Sequence, residues 1–354
     1  NSFTMDANHR AVLNAVSNND INSLVLNREM IKQYNDVFNV TIDVKGITDQ
    51  KSSGRCWMYA GLNILRPAML KKYNLNEFEF SQSYLFFWDK LEKSNFFLEA
   101  IIETREKPLD DREVQTLLDS PLGDGGWWTY YTALIEKYGV MPQENMPETA
   151  NSEKSRMMNK TAEYLVLQAA SDIRDQHTKG ASVKQLRKIK EETLEKLYKI
   201  LVYHLGVPPE EFNWRYKNKN EEIIEQKYTP QQFYKEVVGV DLKEYVTIFH
   251  HPVHPYNKYY QVKFRRNMAD EPDMTFINLN IDDLKTYTLK SLLDGQPVWF
   301  AADVGWQMER EIGIMAEGIY QYDLLFGVNY EMSKAERIEY GVSAAKHAMA
   351  FVGA

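Results

Sequence analysis

The spacing of hydrophobic positions divides the chain into a helical first part and a strand-rich last part. Up to about residue 206, apolar residues recur at three- and four-residue intervals, which is the period of a helix with one buried face. From Glu244 onward, short apolar or alternating runs replace that period and indicate strands. Because helices lead and a sheet follows, the pattern predicts an α+β fold. Helices are predicted for residues 6–39 with polar breaks, 57–65, 80–118, 127–137, 152–206 and 281–293, and strands for residues 40–44, 245–249, 259–264, 275–279, 298–302 and 348–352.

Start and stop signals support several of these helices. Ser81 is positioned to cap the helix that begins near residue 80, and Ser182 with Gln185 forms a capping box at the start of another. Gly206, which is followed closely by two prolines, ends that second helix. The block 152–206 carries two apolar stripes, one through Met158, Ala162, Leu165, Ala169 and Ile173 and one through Val183, Leu186, Ile189, Leu194, Leu197 and Leu201.

Composition narrows the class of protein. With 354 residues, 44% of them hydrophobic, the chain can bury a large core and has room for two domains or for one domain with insertions. No apolar run of about 18 residues predicts a membrane span, and residues 1–6 lack the features of a secretory signal. The net charge of −8 argues against nucleic acid as a partner. The most basic stretch, 179–199, is interleaved with glutamates, as on a solvated helix face. We therefore expect neither a membrane nor a nucleic-acid partner.

Cys56 is the only cysteine of the chain and lies in the segment Gln50-Lys-Ser-Ser-Gly-Arg-Cys-Trp57. A single cysteine excludes an internal disulfide and a multi-thiolate metal site, and without a secretory signal it predicts a reducing, cytoplasmic location. The helix predicted after Cys56 would present its positive end to the thiol, and Arg55 adds a positive charge beside it; both favour the thiolate. The alternative is a small buried hydrophobic side chain. The Gln-x5-Cys-Trp spacing favours a nucleophile, which needs a histidine elsewhere in the chain.

This segment resembles the active-site segment of papain-like cysteine peptidases, and in its full form that of the bleomycin hydrolase and bacterial aminopeptidase C branch. The resemblance implies a papain-like fold, with a helical half, a β-barrel-like half and large helical insertions. It also implies peptide substrates, no metal or cofactor, and a ring-shaped homohexamer. Further segments that resemble this branch follow in the same order along essentially the whole chain: residues 81–95, Asp124-Gly-Gly-Trp127, Glu136-Lys-Tyr-Gly-Val140, Pro255-Tyr-Asn-Lys258 and residues 298–305.

Among the seven histidines, His347 is the predicted partner of Cys56. It precedes an apolar strand and has small neighbours, which leave room for the imidazole to face a partner. The segment also resembles the catalytic-histidine strand of the family, although Ala345-Lys346 replaces the Met-Thr typical before His-Ala-Met. The other histidines have structural explanations: His9 and His177 as surface residues, His204 at a helix end, and His250, His251 and His254 in a proline-flanked loop that is favoured over a zinc site.

The separation of Cys56 and His347 predicts a large insertion. It is 347 − 56 = 291 residues, whereas simple papain-like enzymes place the histidine about 130–150 residues after the cysteine. Roughly 150 extra residues must therefore loop out, and the helical block 140–240 is the main candidate, together with an elaboration of 80–118. We expect three segments: 1–139 with the nucleophile helix, 140–240 as a helical assembly insertion remote from Cys56, and 241–354 as the β-rich part that carries His347.

The residue types predict a mechanism. Cys56 attacks the scissile carbonyl as a thiolate paired with the imidazolium of His347, which then protonates the leaving amine and activates water. Gln50 donates its side-chain N–H to the oxyanion beside the main-chain N–H of Cys56. The alternative for Gln50 is an ordinary surface amide.

The predicted substrate-binding residues are Asp124, Gly125, Gly126 and Trp57. The first three resemble a glycine-containing cleft wall of the family, where a substrate backbone can lie close because glycine has no Cβ. The alternative for this segment is an ordinary turn before a helix. Trp57 follows the nucleophile, and the pattern favours a position in the core for it.

The segment after His347 lacks an asparagine that the resemblance implies. Seven residues follow His347 and none is an asparagine, whereas the resemblance implies a downstream asparagine that holds the imidazole; Asn329 replaces it only if the fold brings it alongside. The resemblance also implies a C-terminal tail whose carboxylate meets the amino group of the substrate. We therefore expect a longer parent protein and, for the printed chain, weak activity or none, with acceptance of N-blocked peptides. The alternative function is a papain-fold scaffold or binding protein.

Overall fold

The computed structural model describes residues 3–354, which divide into two compact units. The larger unit contains Val40–His251, Pro255–Phe300 and Ala348–Ala354. The smaller unit contains the chain up to Asn39, with Pro252–His254 and Ala301–His347. Most of the buried hydrophobic side chains belong to the larger unit. The main hydrophobic core therefore lies within that unit.

The elements are shorter and more numerous than the sequence pattern predicts. In chain order the helices are α1 (Ala7–Asn18), α2 (Ile21–Val25), α3 (Arg28–Ile31), α4 (Cys56–Lys72), α5 (Gln82–Glu103), α6 (Arg112–Asp119), α7 (Trp128–Tyr138), α8 (Ala150–Glu153), α9 (Arg156–Thr178), α10 (Val183–Leu205), α11 (Pro230–Gln232), α12 (Ile281–Leu293), α13 (Tyr322–Phe326) and α14 (Lys334–Glu339). The strands are β1 (Phe212–Lys217), β2 (Ile223–Tyr228), β3 (Ile248–Phe249), β4 (Lys258–Gln261), β5 (Thr275–Asn278), β6 (Val298–Ala302), β7 (Met308–Glu309), β8 (Ile314–Met315) and β9 (His347–Phe351).

The core of the larger unit forms around α5. Apolar residues occur on all sides of this helix, and such a helix is stable only when other elements surround it. Five helices do so, since α4, α6, α7, α9 and α10 all pack against α5. Its first turn is capped by Ser81, whose Oγ accepts the N–H of Tyr84 at 3.1 Å. The predicted cap is therefore confirmed.

Helix α4, which begins at Cys56, continues beyond its predicted end. The sequence predicted a helix over residues 57–65, but the helix includes Pro67 and runs to Lys72. A proline inside a helix removes one N–H donor and crowds the preceding turn. The turn after Pro67 persists because it buries Met69 and Leu70 in the core, so packing outweighs the local cost.

The strands of the structure form several small sheets. β1 and β2 form an antiparallel hairpin, and β5 lies between β3, to which it is parallel, and β4, to which it is antiparallel. β6 pairs with β9, where Phe300 stacks on Phe351 with 3.7 Å between ring centroids. In the smaller unit β7 pairs with β8. Helices therefore dominate the first part and short sheets the last part, as the α+β prediction requires.

Several predicted elements are confirmed and others are wrong. The helix at 281–293, the capping box of Ser182 with Gln185, and the stop at Gly206 are confirmed. The helix predicted for 80–118 is interrupted between Glu103 and Arg112, where Asp111 caps the start of α6. The strand predicted for 40–44 is reduced to an isolated bridge.

The β1–β2 hairpin within the block 140–240 is an element that the sequence analysis missed. Its first strand, Phe-Asn-Trp-Arg-Tyr-Lys, alternates apolar and polar residues, which is the signal of a half-buried strand. Phe212 and Trp214 are buried on one face and Asn213 and Arg215 are exposed on the other. The block is therefore not purely helical. Its role as a separate insertion stays a prediction.

No helix within residues 3–354 combines the length and the apolar composition needed to cross a lipid bilayer.

The contact between α4 and α7 leaves no room for a side chain at Gly61. A Cβ at this position would lie 2.6 Å from Cδ2 of Tyr131, which is fully buried. We therefore expect Gly61→Ala to lower the free energy of unfolding by about 1–2 kcal/mol, since overpacking exceeds the gain in helix propensity. Urea denaturation followed by circular dichroism measures the change.

The matched control is Gly125→Ala, because a Cβ at Gly125 meets nothing within 4 Å. Its free energy of unfolding should change by no more than about 0.5 kcal/mol. A Gly61→Ala protein as stable as the unmodified chain would contradict this account of the contact.

Candidate active site

Cys56 is the first residue of α4, and its side chain is half-buried. Arg55 precedes it as the N-cap, and no side chain caps this helix. The main-chain N–H of Ala348 donates to Sγ of Cys56, with 3.4 Å between nitrogen and sulfur. Ala348 belongs to β9 and follows His347 in the chain. The predicted position of Cys56 at the start of a buried helix is confirmed.

Arg55 points away from the solvent and into the core. Its guanidinium is completely buried, and both terminal nitrogens donate to the carboxylate of Glu148, at 2.9 and 2.7 Å. The guanidinium also lies over the ring of Phe86, 4.7 Å from its centroid. The expectation that Arg55 supplies a positive charge to the thiol is therefore wrong, because Glu148 neutralises that charge in a bidentate pair.

The segment 148–159, defined as Glu148 to Asn159, contacts the loop that leads to Cys56. Ser52 donates its main-chain N–H to the carbonyl of Glu153 at 2.9 Å, and Arg55 donates to the carbonyl of Ser152 at 2.9 Å. The prediction that the whole block 140–240 is remote from Cys56 is therefore wrong for its first part. The reason is the burial of Arg55, whose charge is satisfied by the carboxylate of Glu148 and the carbonyl of Ser152 in this segment.

The loop 122–126 is held by two buried lysines of α5. Lys90 donates to the carbonyl of Leu122 and forms an ion pair of 2.7 Å with Asp124. Lys93 donates to the carbonyls of Gly123 and Gly125, each at 2.8 Å. The loop has no regular secondary structure, so these directional bonds from α5 determine its conformation.

Asp124 connects the loop 122–126 to the loop before Cys56 and to the segment 148–159. Its carboxylate accepts the main-chain N–H of Gly54 at 3.1 Å, the Oγ–H of Ser155, and the side-chain N–H of Asn159 at 2.6 Å. Burial by itself raises the pKa of Asp124, but the charge and hydrogen bond of Lys90, with Ser155 and Gly54, lower it well below its usual range. Asp124 therefore stays ionised and anchors the loop before Cys56.

Trp57 lies beneath the loop 122–126 and is 1% exposed. Its indole N–H donates to the carbonyl of Asp124 at 2.6 Å, and its main-chain carbonyl accepts the indole N–H of Trp299 at 2.9 Å. A Cβ at Gly126 would lie 2.5 Å from the Trp57 ring, so this position requires glycine for packing. Trp57 supports the loop from the core, whereas Gly125 is exposed.

Gln50 lies in the loop before Cys56, and its main-chain carbonyl is bonded within that loop. The Oγ–H of Ser53 donates to the carbonyl of Gln50 at 2.7 Å, and Ser53 in turn accepts the Nε–H of Arg55 at 2.9 Å. The side-chain Oε1 of Gln50 is buried, and within residues 3–354 no group donates to it. Its role as an oxyanion donor stays a prediction.

His347 begins β9 and belongs to the smaller unit. Burial lowers its pKa below the ordinary value of histidine, and the positive charge of Arg310 lowers it further. The predicted pairing of His347 with Cys56 joins residues of two different units and stays a prediction.

The three histidines that offered an alternative zinc site lie between β3 and β4; they are His250, His251 and His254. His250 Nε2 is 3.1 Å from the hydroxyl of Tyr256, and the main-chain N–H of His251 donates to Asn278 at 2.8 Å. Across the described residues 3–354, no three or more His, Cys, Asp or Glu side chains are grouped to hold a metal ion.

Comparison with known proteins identifies the family. The whole chain, residues 1–354, matches the Peptidase C1-like family. The chain belongs to this family. It is therefore a cysteine-type peptidase with a papain-like α+β fold, and its substrates are peptides.

Relatives of the chain share most of its length. The aminopeptidase C of Lactobacillus delbrueckii subsp. lactis is 41% identical over 315 residues, which cover 88% of this chain and 70% of that protein. The bleomycin hydrolase of Homo sapiens is 37% identical over 350 residues, covering 96% and 76%. The crystal structure of PepW from Lactobacillus rhamnosis HN001 superimposes with a TM-score of 0.95 at 38% identity, covering 98% of this chain and 78% of that one. These similarities confirm the predicted branch of the family.

Residues that support the loops were missed by the sequence analysis. Lys90 and Lys93 stand among aromatic and apolar residues of a helix, and buried lysines of this kind need acceptors. That signal was present in the sequence, but it does not name the acceptors. Glu148 carries no comparable signal, because it lies in a short polar stretch between helices.

The ion pair of Lys90 and Asp124 generates a prediction about stability. Asp124→Asn leaves Lys90 buried without a charged partner, so the free energy of unfolding at pH 7 should fall by about 3–5 kcal/mol. Since the folded pKa of Asp124 is lowered, its contribution is complete above the unfolded value of about 3.9 and declines as the pH falls below it. The difference between the two proteins should therefore narrow below about pH 4. Urea denaturation between pH 7 and pH 3 measures it.

The control is Asp270→Asn, which removes an exposed partner of Lys137 and should cost less than about 1 kcal/mol. A constant difference at all pH values would show that Asp124 acts through its shape and not through its charge.

Proposed function

We propose that the chain is an aminopeptidase that uses Cys56 as nucleophile and His347 as its acid–base partner. The observation that carries this proposal is the position of Cys56: a half-buried thiol at the first turn of α4, which receives the N–H of the residue that follows His347. The similarity to aminopeptidase C and bleomycin hydrolase supports the reaction class. Removal of N-terminal residues is carried over from the name of the bacterial relative.

The proposed reaction proceeds through a thioester. The Cys56 thiolate attacks the scissile carbonyl carbon, forming the C–S bond, and the imidazolium of His347 gives its proton to the leaving amine as the C–N bond breaks. Water then attacks the thioester carbonyl while His347 accepts one of its protons; the C–S bond breaks, which releases the carboxylic acid and regenerates the Cys56 thiolate beside the His347 imidazolium. Gln50 and the main-chain N–H of Cys56 would donate to the oxyanion in both steps.

We propose that Gly125 and Gly126 line the substrate cleft, with Asp124 and Trp57 fixing their position. The exposure of Gly125 and the absence of a side chain beside it support a close approach of a peptide backbone. By resemblance to the family, a homohexamer in the cytoplasm completes the proposal, with segment 140–240 contributing to assembly. Sedimentation velocity of the purified protein tests the hexamer.

The roles of Cys56 and His347 predict the reactivity of the thiol. In native protein Cys56 should react rapidly with iodoacetamide at pH 7, and His347→Ala should slow this reaction by at least about tenfold because the thiolate loses its partner. Cys56→Ala should abolish release of a fluorophore from an aminoacyl substrate. Mass spectrometry of the labelled protein and a fluorescence assay measure the two effects.

His177, a half-buried residue of α9 that has no role in the proposed mechanism, supplies the control, since His177→Ala should alter neither rate. Equal alkylation rates in native and urea-unfolded protein would favour the scaffold interpretation. A substrate with and without an N-acetyl group separates amino- from endopeptidase activity, since an aminopeptidase requires the free amine.

Gln50 provides a separate test of the oxyanion site. Gln50→Ala should lower kcat by about 10²–10³-fold and change KM little, because an oxyanion donor acts mainly in the transition state. The comparison is with Gln115→Ala, an exposed glutamine of α6, which should retain full activity. An unchanged kcat for Gln50→Ala would remove Gln50 from the mechanism.

A further inference from the structure

Glu148 is bound to the residue that precedes Cys56 and has no part in the mechanism described above. Its carboxylate accepts from both terminal nitrogens of Arg55, and its side chain is 14% exposed. A bidentate pair fixes the plane of the guanidinium as well as its position. Because Arg55 is fully buried, it has no solvent to replace this partner.

Arg55 transmits this constraint in two directions. Towards the helix, its carbonyl accepts the N–H of Tyr59 at 3.1 Å, and one peptide bond joins it to Cys56. Towards the preceding loop, its Nε–H donates to Ser53, whose hydroxyl donates to the carbonyl of Gln50. One guanidinium is thus connected both to the proposed nucleophile and to the proposed oxyanion donor.

Glu148 is itself held by neighbouring elements. The Oγ–H of Ser152 donates to it at 2.5 Å, and the carbonyl of Ser152 accepts from Arg55. Thr149 caps α8, and its hydroxyl donates to the carbonyl of His204 near the end of α10 at 2.9 Å. The position of Glu148 is therefore set by α8 and α10, which do not belong to the loop that it orients.

We propose that Glu148 is a positioning residue of the peptidase, which through Arg55 and Ser53 sets the geometry between the Cys56 thiol and the Gln50 amide. The inference rests on the proposed function. A displacement of about 1 Å between reacting groups costs on the order of 100-fold in rate. Loss of Glu148 should therefore act on kcat, whereas KM should change little.

The test uses Glu148→Gln, which keeps the shape and one acceptor but removes the charge. We expect kcat to fall by about 10–100-fold and KM to stay within about twofold. The rate of alkylation of Cys56 by iodoacetamide should change by less than about threefold, because alkylation does not involve Gln50. Thermal unfolding followed by circular dichroism first verifies that the variant is folded at the assay temperature.

A double variant distinguishes positioning from general destabilisation. If Glu148 acts through Gln50, Glu148→Gln should lower kcat much less in a Gln50→Ala background than in the unmodified protein. The matched control is Glu99→Gln, since Glu99 also binds two cations, Arg187 and Lys190, but connects α5 to α10. This control should retain kcat even where it lowers the midpoint of unfolding.

A milder variant keeps the test decisive if Glu148→Gln does not fold. Ser53→Ala breaks the same connection at its other end and should lower kcat in the same way, and Ser53→Thr should restore it by returning the hydroxyl. Unchanged kcat in Glu148→Gln, or equal losses in Glu99→Gln, would overturn the inference. Failure of the proposed function is recognised separately, since either the unmodified protein would then release no fluorophore or Cys56→Ala would remain active.

Discussion

Two fully buried positive charges beside α4 constrain how the larger unit folds. Arg55 and Lys90 are both fully buried, and a buried cation is tolerated only when a carboxylate and further acceptors surround it. Their partners, Glu148 and Asp124, come from parts of the chain that are far apart in sequence. Folding must therefore bring three segments together around α5: the loop before Cys56, the loop 122–126, and the segment 148–159.

The loops around Cys56 depend on hydrogen bonds, which are directional, and not on apolar packing alone. The loops around Cys56 have no regular secondary structure, so no ladder of main-chain bonds determines their shape. Apolar residues would fill the same volume, but their contacts are not directional. The hydrogen bonds of Lys93, Asp124 and Arg55 to main-chain groups orient individual peptide units, and this is what a site that binds a peptide backbone requires.

Membership of the Peptidase C1-like family gives these observations their chemical meaning. A thiol at the start of a buried helix occurs in many proteins, and by itself it does not define an enzyme. In this chain three contacts hold the start of α4. Trp57 donates to the carbonyl of Asp124, the carboxylate of Asp124 accepts the N–H of Gly54, and Arg55 pairs with Glu148. One of these contacts comes from Glu148, which belongs to the block 140–240 that the sequence indicates as an insertion.

Local patterns in the sequence were sufficient for several elements and for the start of α4 at the candidate nucleophile. The cap at Ser81, the capping box at Ser182, the helix at 281–293 and the helix start at Cys56 each depend on residues within a few positions of one another. The continuation of α4 through Pro67, the inward direction of Arg55 and the closeness of the segment 148–159 were decided by the tertiary structure. Each of these depends on a buried group meeting a partner distant in the chain, and a sequence pattern carries no signal of which partner that is.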